Sequence, residues 1–151
     1  MSAHWQFVRE QAAQSRARYA AELGEPDTDP LPIEELAECV YLLTVYDDPT
    51  LQADVRGRLD PYIRTIRLKP ALEPRRRRFV IAHEIGHFVL HGLDGGVAID
   101  DDQTLNERAD GPLTPDGTAV ALYNTRDRYE QDANLFALEL LLPAARLWAA
   151  I

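Results

Sequence analysis

The chain has 151 residues, 46% of them hydrophobic and 27% charged, with a formal charge of −9 at pH 7. That length suits one compact domain with a core of its own, without disulfide or repeat support. A single cysteine excludes an internal disulfide and a cysteine-rich zinc knuckle, and the acidic balance works against nonspecific attachment to DNA or to an anionic membrane. No window approaches a membrane span and Met1–Gly24 holds no signal-peptide-like apolar core, so a cytoplasmic, reduced setting is expected.

Taken in chain order, residues 3–23 predict a first helix with Trp5, Val8, Ala12, Tyr19 and Leu23 as its apolar stripe, ended by Gly24 and Pro26. Glu25 to Pro32 reads as a loop. Pro32 opens a short helix through about Cys39, favoured by Glu34 and Glu35 near its N-terminus. Cys39 lies in the apolar run Ala37 to Val45 and is expected to be a small buried hydrophobe. Val40 to Tyr46 predicts a strand stopped by Asp47-Asp48-Pro49, and Tyr62 to Leu68 predicts a second. Pro70 and Pro74 bracket a turn before the longest helix, about 75–91, which Gly92 ends. Asp94 to Asp127 is rich in Gly, Asp and Thr, with β-like islands at Gly96–Ile99 and Thr118–Tyr123; a last helix covers about 128–142, broken by Pro143. This order predicts one α+β domain over residues 1–151, a small, mostly antiparallel sheet packed on helices.

Chemistry concentrates in His83-Glu84-Ile85-Gly86-His87. Histidines four residues apart share one helix face and can grip one zinc ion, while Glu84 can reach a water there and take its proton. Gly86 costs roughly 1 kcal/mol relative to Ala inside a helix, and a close backbone approach near the metal accounts for it. A catalytic site needs a third ligand. The metzincin extension fails at Leu90, where glycine is required. His91 continues the spacing, but three histidines along one face spread over about 12 Å, so it reads as a residue that favours the helix dipole or serves substrate. Glu130 is the better candidate: on a helix it shares a side with Asn134, Ala137 and Leu141, and a carboxylate on an apolar side needs a partner. Asn134 can then hydrogen-bond a ligand from outside. Two alternatives stand beside this: Asp127 and Glu130 fit a capping-box start, and Asp132 is a second carboxylate turned away from the Asn134 side.

The blocks Arg78 to His91 and Glu130 to Pro143 together resemble the ImmA/IrrE family of gluzincin-like metallopeptidases, and their order matches that family. The resemblance implies a minimal zincin-like domain holding one zinc ion on His83, His87 and Glu130, with Glu84 as general base and Asn134 supporting a ligand. It also implies that the strand near Tyr62 to Leu68 lines the cleft and offers its edge to an extended peptide. The partner it implies is a helix-turn-helix transcriptional repressor that the enzyme cleaves. In the expected mechanism Glu84 accepts a proton as water attacks the peptide carbonyl and passes it to the leaving amine, with Tyr123, Tyr129 or His91 as oxyanion donor. The acidic stretch Asp100-Asp101-Asp102 departs from the family pattern. A chain ending at Ile151 is expected to lack the C-terminal sensor domain of some relatives. Two competing functions are a zinc-containing regulatory or toxin–antitoxin-type module that binds without cleaving, and a nucleic-acid binder built on Arg75 to Arg78. An intact Glu84 opposes the first, and the acidic balance opposes the second.

Overall fold

The computed structural model describes residues 2–27, 29–95, 98–101, 125–144 and 146. Helix α1 (Ala3–Leu23) starts at Ser2, whose hydroxyl accepts from the Trp5 N–H at 3.3 Å, and ends at Gly24 in the left-handed region, φ 64°. Its inward side is Val8, Ala12, Ser15, Arg16 and Tyr19, while Trp5 stays 41% exposed. Two polar residues therefore replace part of the expected stripe. Ser15 shares a 2.6 Å hydrogen bond with the Tyr41 hydroxyl, and Arg16 donates to the Leu140 carbonyl and pairs with Asp27 at 3.0 Å and Asp29 at 2.7 Å.

Helix α2 (Ile33–Glu35) continues as a π-helical turn over Leu36–Val40. The apolar run thus follows a helical period at first, with Leu36, Ala37 and Val40 turned inward and Cys39 exposed, contrary to the expected burial. Leu42, at φ 56°, turns the chain, and strand β1 is Thr44–Asp47 rather than 40–46.

Strand β2 (Val55–Asp60) was not visible in the sequence: Val55, Gly57 and Leu59 point inward, but one of those three is a glycine and the other three positions are charged, Arg56, Arg58 and Asp60. Strand β3 (Thr65–Leu68) is shorter than 62–68, because Tyr62 and Ile63 are exposed at the preceding turn and Arg64 adopts φ 51°. Strand β4 (Ala98–Asp101) falls on the first β-like island; the second, with Asp102 and Tyr123, lies outside the described residues. The sheet order is β1-β3-β2-β4, with β1 parallel to β3 and the other two pairings antiparallel. The α+β architecture with a small, mostly antiparallel sheet is therefore what forms. Strand β3 is hydrogen-bonded on both sides, so it has no edge to offer a peptide; among the described residues the edges belong to β1 and β4.

Helix α3 (Pro74–His91) opens with proline at its first position and with the Glu73 carboxylate accepting from the Arg76 N–H at 3.2 Å. Arg77 pairs with Glu34 at 2.9 Å and Asp47 at 2.5 Å, and Arg78 donates to the Leu31 carbonyl at 2.9 Å. Two of the four arginines thus brace the fold. Helix α4 (Thr125–Leu141) packs between α3 and α1. Its buried side is Glu130, Ala133, Phe136, Ala137 and Leu140, rotated from the expected Glu130, Asn134, Ala137 and Leu141. One core joins Leu59, Ile66 and Leu68 of the sheet to Val80, Ile81 and Ile85 of α3 and to Phe136 and Leu140 of α4. Burial of each such large side chain contributes about 1.5–3 kcal/mol. A Cβ on Gly86 would lie 3.1 Å from Phe136 Cδ1 and 3.2 Å from Ala133 Cα. The glycine thus serves the approach of α4 to α3 rather than an approach of backbone to a metal. Among the described residues no helix is long and apolar enough to cross a membrane.

Candidate metal centre

That approach of α4 to α3 sets one turn of each helix face to face. His83 and His87 project from α3 with their Nε2 atoms 3.1 Å apart. Glu130 projects from α4, its Oε2 3.1 Å from His83 Nε2 and its Oε1 3.2 Å from His87 Nε2. All three side chains are buried, and one donor atom from each lies within 4.8 Å of the others. Glu130 therefore faces the histidines and does not cap its helix.

The protonation states suit ligation. Burial lowers the His87 pKa to about 4, against the opposing pull of Glu130, so the imidazole is neutral at pH 7. Burial alone would raise the Glu130 pKa, but hydrogen bonds to His83 and His87 outweigh it and hold the carboxyl well below its usual range. A neutral His87 imidazole and an ionised Glu130 carboxylate suit the donor set that zinc and similar transition metals take.

Glu84 sits beside this cluster with its side chain fully buried, and neither carboxylate oxygen has a hydrogen-bond partner among the described residues. A buried carboxyl without a partner costs stability that ordinary folding avoids. Its room comes from β2: a Cβ at Gly57 would lie 3.0 Å from Glu84 Oε1 and 2.6 Å from Val80 Cγ1. Gly57 is a site residue that the sequence reading missed; its one signal was a glycine interrupting an inward-facing strand position. The donor set and the orphaned carboxylate fit a hydrolytic metal centre.

The remaining expected site residues divide. His91 is 5% exposed at its side chain, with Nδ1 3.1 Å from His87 Nδ1 and its ring stacked on Tyr129 at 3.8 Å between centroids. Its ring thus lies between His87 of α3 and Tyr129 of α4. Asp132 lies 2.9 Å from His4 Nε2 and 3.8 Å from His91 Nε2, away from the ligand role. Asn134 makes no hydrogen bond to the three donors, and its Oδ1 is buried without a partner among the described residues. Tyr123 lies outside the described residues.

Comparison with known proteins adds a family. A peptidase family model described as the IrrE N-terminal-like domain matches residues 37–111, which takes in the four strands and α3 but stops before Glu130. No curated protein matches the chain. A solved structure described as a Mycobacterium tuberculosis transcriptional regulator shares the fold at a TM-score of 0.54 and 19% identity, over 97% of this chain. The chain spans 43% of that protein's length. With the HExxH helix inside the matched segment, the chain belongs to the ImmA/IrrE family of metallopeptidases.

Proposed function

We propose that residues 1–151 form a zinc-dependent endopeptidase domain working in the cytoplasm, with His83, His87 and Glu130 as ligands and Glu84 as general base. The observation that carries this reading is the convergence of three buried donors beside a buried carboxylate with no other partner. A zinc ion on those donors supplies Lewis acidity to a water and to the scissile carbonyl. Glu84 takes the proton of the attacking water on a carboxylate oxygen and hands it to the leaving nitrogen. Burial among Val80, Gly57 and the metal helix keeps that carboxylate from competing hydrogen bonds and holds it in place. An extended substrate would pair with an edge of the sheet, and β4 is the edge strand next to β2, whose Gly57 abuts Glu84.

The substrate class proposed is a DNA-binding transcriptional repressor, supported by the family and by a structural neighbour that is itself described as a transcriptional regulator. The test is the metal content of purified wild type beside His83→Ala and Glu130→Ala. Near-stoichiometric zinc in the wild type, lost in both variants, is expected. Zinc unaffected by Glu130→Ala removes Glu130 from the ligand set, and a wild type that binds no metal leaves a module that binds its partner without cutting it.

A further inference from the structure

The feature left unused by this reading is the line of polar side chains behind His87. His87 Nε2 faces His83 and Glu130, while its Nδ1 faces Nδ1 of His91 at 3.1 Å. Beyond His91, its buried Nε2 has no hydrogen-bond partner among the described residues and faces Asp132 Oδ2 at 3.8 Å, longer than a hydrogen bond, while the other Asp132 oxygen accepts from His4 of α1 at 2.9 Å. The His91 and Asp132 side chains are 5% and 13% exposed, so water does not replace these partners freely.

We propose that Asp132 and His91 form a two-step outer relay that sets the tautomer and ring orientation of His87, making both positioning residues for the metal centre. This rests on the metallopeptidase reading above. A nitrogen that gives its lone pair to a metal carries no hydrogen, so ligation through Nε2 puts the His87 hydrogen on Nδ1. That N–H then donates to His91 Nδ1, which must be the bare nitrogen of its ring. The His91 hydrogen therefore sits on Nε2, the atom that faces the Asp132 carboxylate. Every hydrogen in the line has one permitted place, and an anion at the far end favours that arrangement. Carboxylates commonly orient a ligating histidine directly; here a second histidine, stacked on Tyr129, is interposed. His4 makes the N-terminal helix part of the support, since it fixes the carboxylate that His91 needs.

The test uses the full chain and two readouts besides activity: Zn2+ affinity by competition with a chromophoric chelator, and the visible absorption spectrum of the Co2+-loaded protein. Asp132→Ala and His91→Ala are each expected to weaken Zn2+ binding roughly 10–100-fold and to change the Co2+ spectrum. The double variant should lose no more than His91→Ala alone, because Asp132 acts through His91. His91→Gln, whose side-chain oxygen can accept from His87 Nδ1, should recover most of the affinity. Asp132→Leu, close in shape and without an acceptor, keeps the measurement readable if the alanine variant does not fold. Wild-type affinity and spectrum in Asp132→Ala or Asp132→Leu overturn the relay while leaving the metal centre standing. A wild type that, like His83→Ala, takes up no Zn2+ overturns the metal centre and the relay together.

Discussion

Two polar clusters, each centred on a buried charged side chain, lie along α4 and treat charge in opposite ways. Near the C-terminal end of the helix, the Arg16 guanidinium is enclosed by the Leu140 carbonyl and by Asp27 and Asp29, and Arg146 pairs with the same two aspartates at 2.8 and 2.9 Å. Near the N-terminal end, Glu130 is matched to two histidines, yet Glu84 beside it is fully buried with neither oxygen partnered among the described residues. The first cluster joins α1, Asp27 and Asp29, and Arg146 after α4, and its charges are compensated. The second keeps an uncompensated group where a reacting proton would need an acceptor. The difference separates a structural use of buried charge from a chemical one.

The sharpest way to break the comparison is Glu84→Gln. Removing the base should lower peptide cleavage by about 10²–10⁴-fold while metal content is kept and the melting temperature does not fall, since the lost charge had no partner. Undiminished cleavage, or a clear loss of stability, would place Glu84 with the structural charges. Arg16→Met tests the other end. Orphaning the buried Leu140 carbonyl should cost about 1–3 kcal/mol in a denaturant melt, with metal content unchanged; a neutral result would mean the cluster is incidental. Gly57→Ala probes the wall beside Glu84. A Cβ 2.6 Å from Val80 Cγ1 must displace α3 or β2, at about 1–3 kcal/mol, and cleavage should fall further than stability alone explains.

The smallest effect is on acid stability. Hydrogen bonding to Arg146, helped by Arg16 and opposed by burial, holds the Asp29 pKa below its ordinary 3.8. A carboxyl whose folded pKa is depressed contributes stability above its unfolded pKa and loses it as pH falls through the folded one. Melts of wild type should therefore weaken below about pH 4, and Asp29→Asn should flatten that part of the profile. An unchanged profile would assign the acid loss to other groups.

The sequence carried the helices and the two histidines of α3 because their signals are local. The His83–His87 spacing puts both rings on one helix face whatever the tertiary structure does. Pro74 and Gly92 mark the ends of α3 by fixed backbone preferences, and a boundary near each was predicted on that ground. Less local features were misjudged. Trp5 followed the periodic stripe of α1 but remains exposed, while Arg16 is buried because partners 11, 13 and 124 residues away receive it. Cys39 sits in an apolar run whose helical turn leaves it outside. Strand β2 exists because β3 and β4 pair with it, although half of its own residues are charged.

The sequence by itself determined the candidate metal-binding turn and the carboxylate next to it, since residues one turn apart on a helix need no other part of the chain to meet. Only the tertiary structure decided that Glu130 faces them rather than capping its helix, that Gly86 and Gly57 make the space, and that His91 and Asp132 line up behind His87. Those arrangements depend on the rotation of α4 about its axis and its distance from α3, which packing across 47 residues of separation sets and no local pattern encodes.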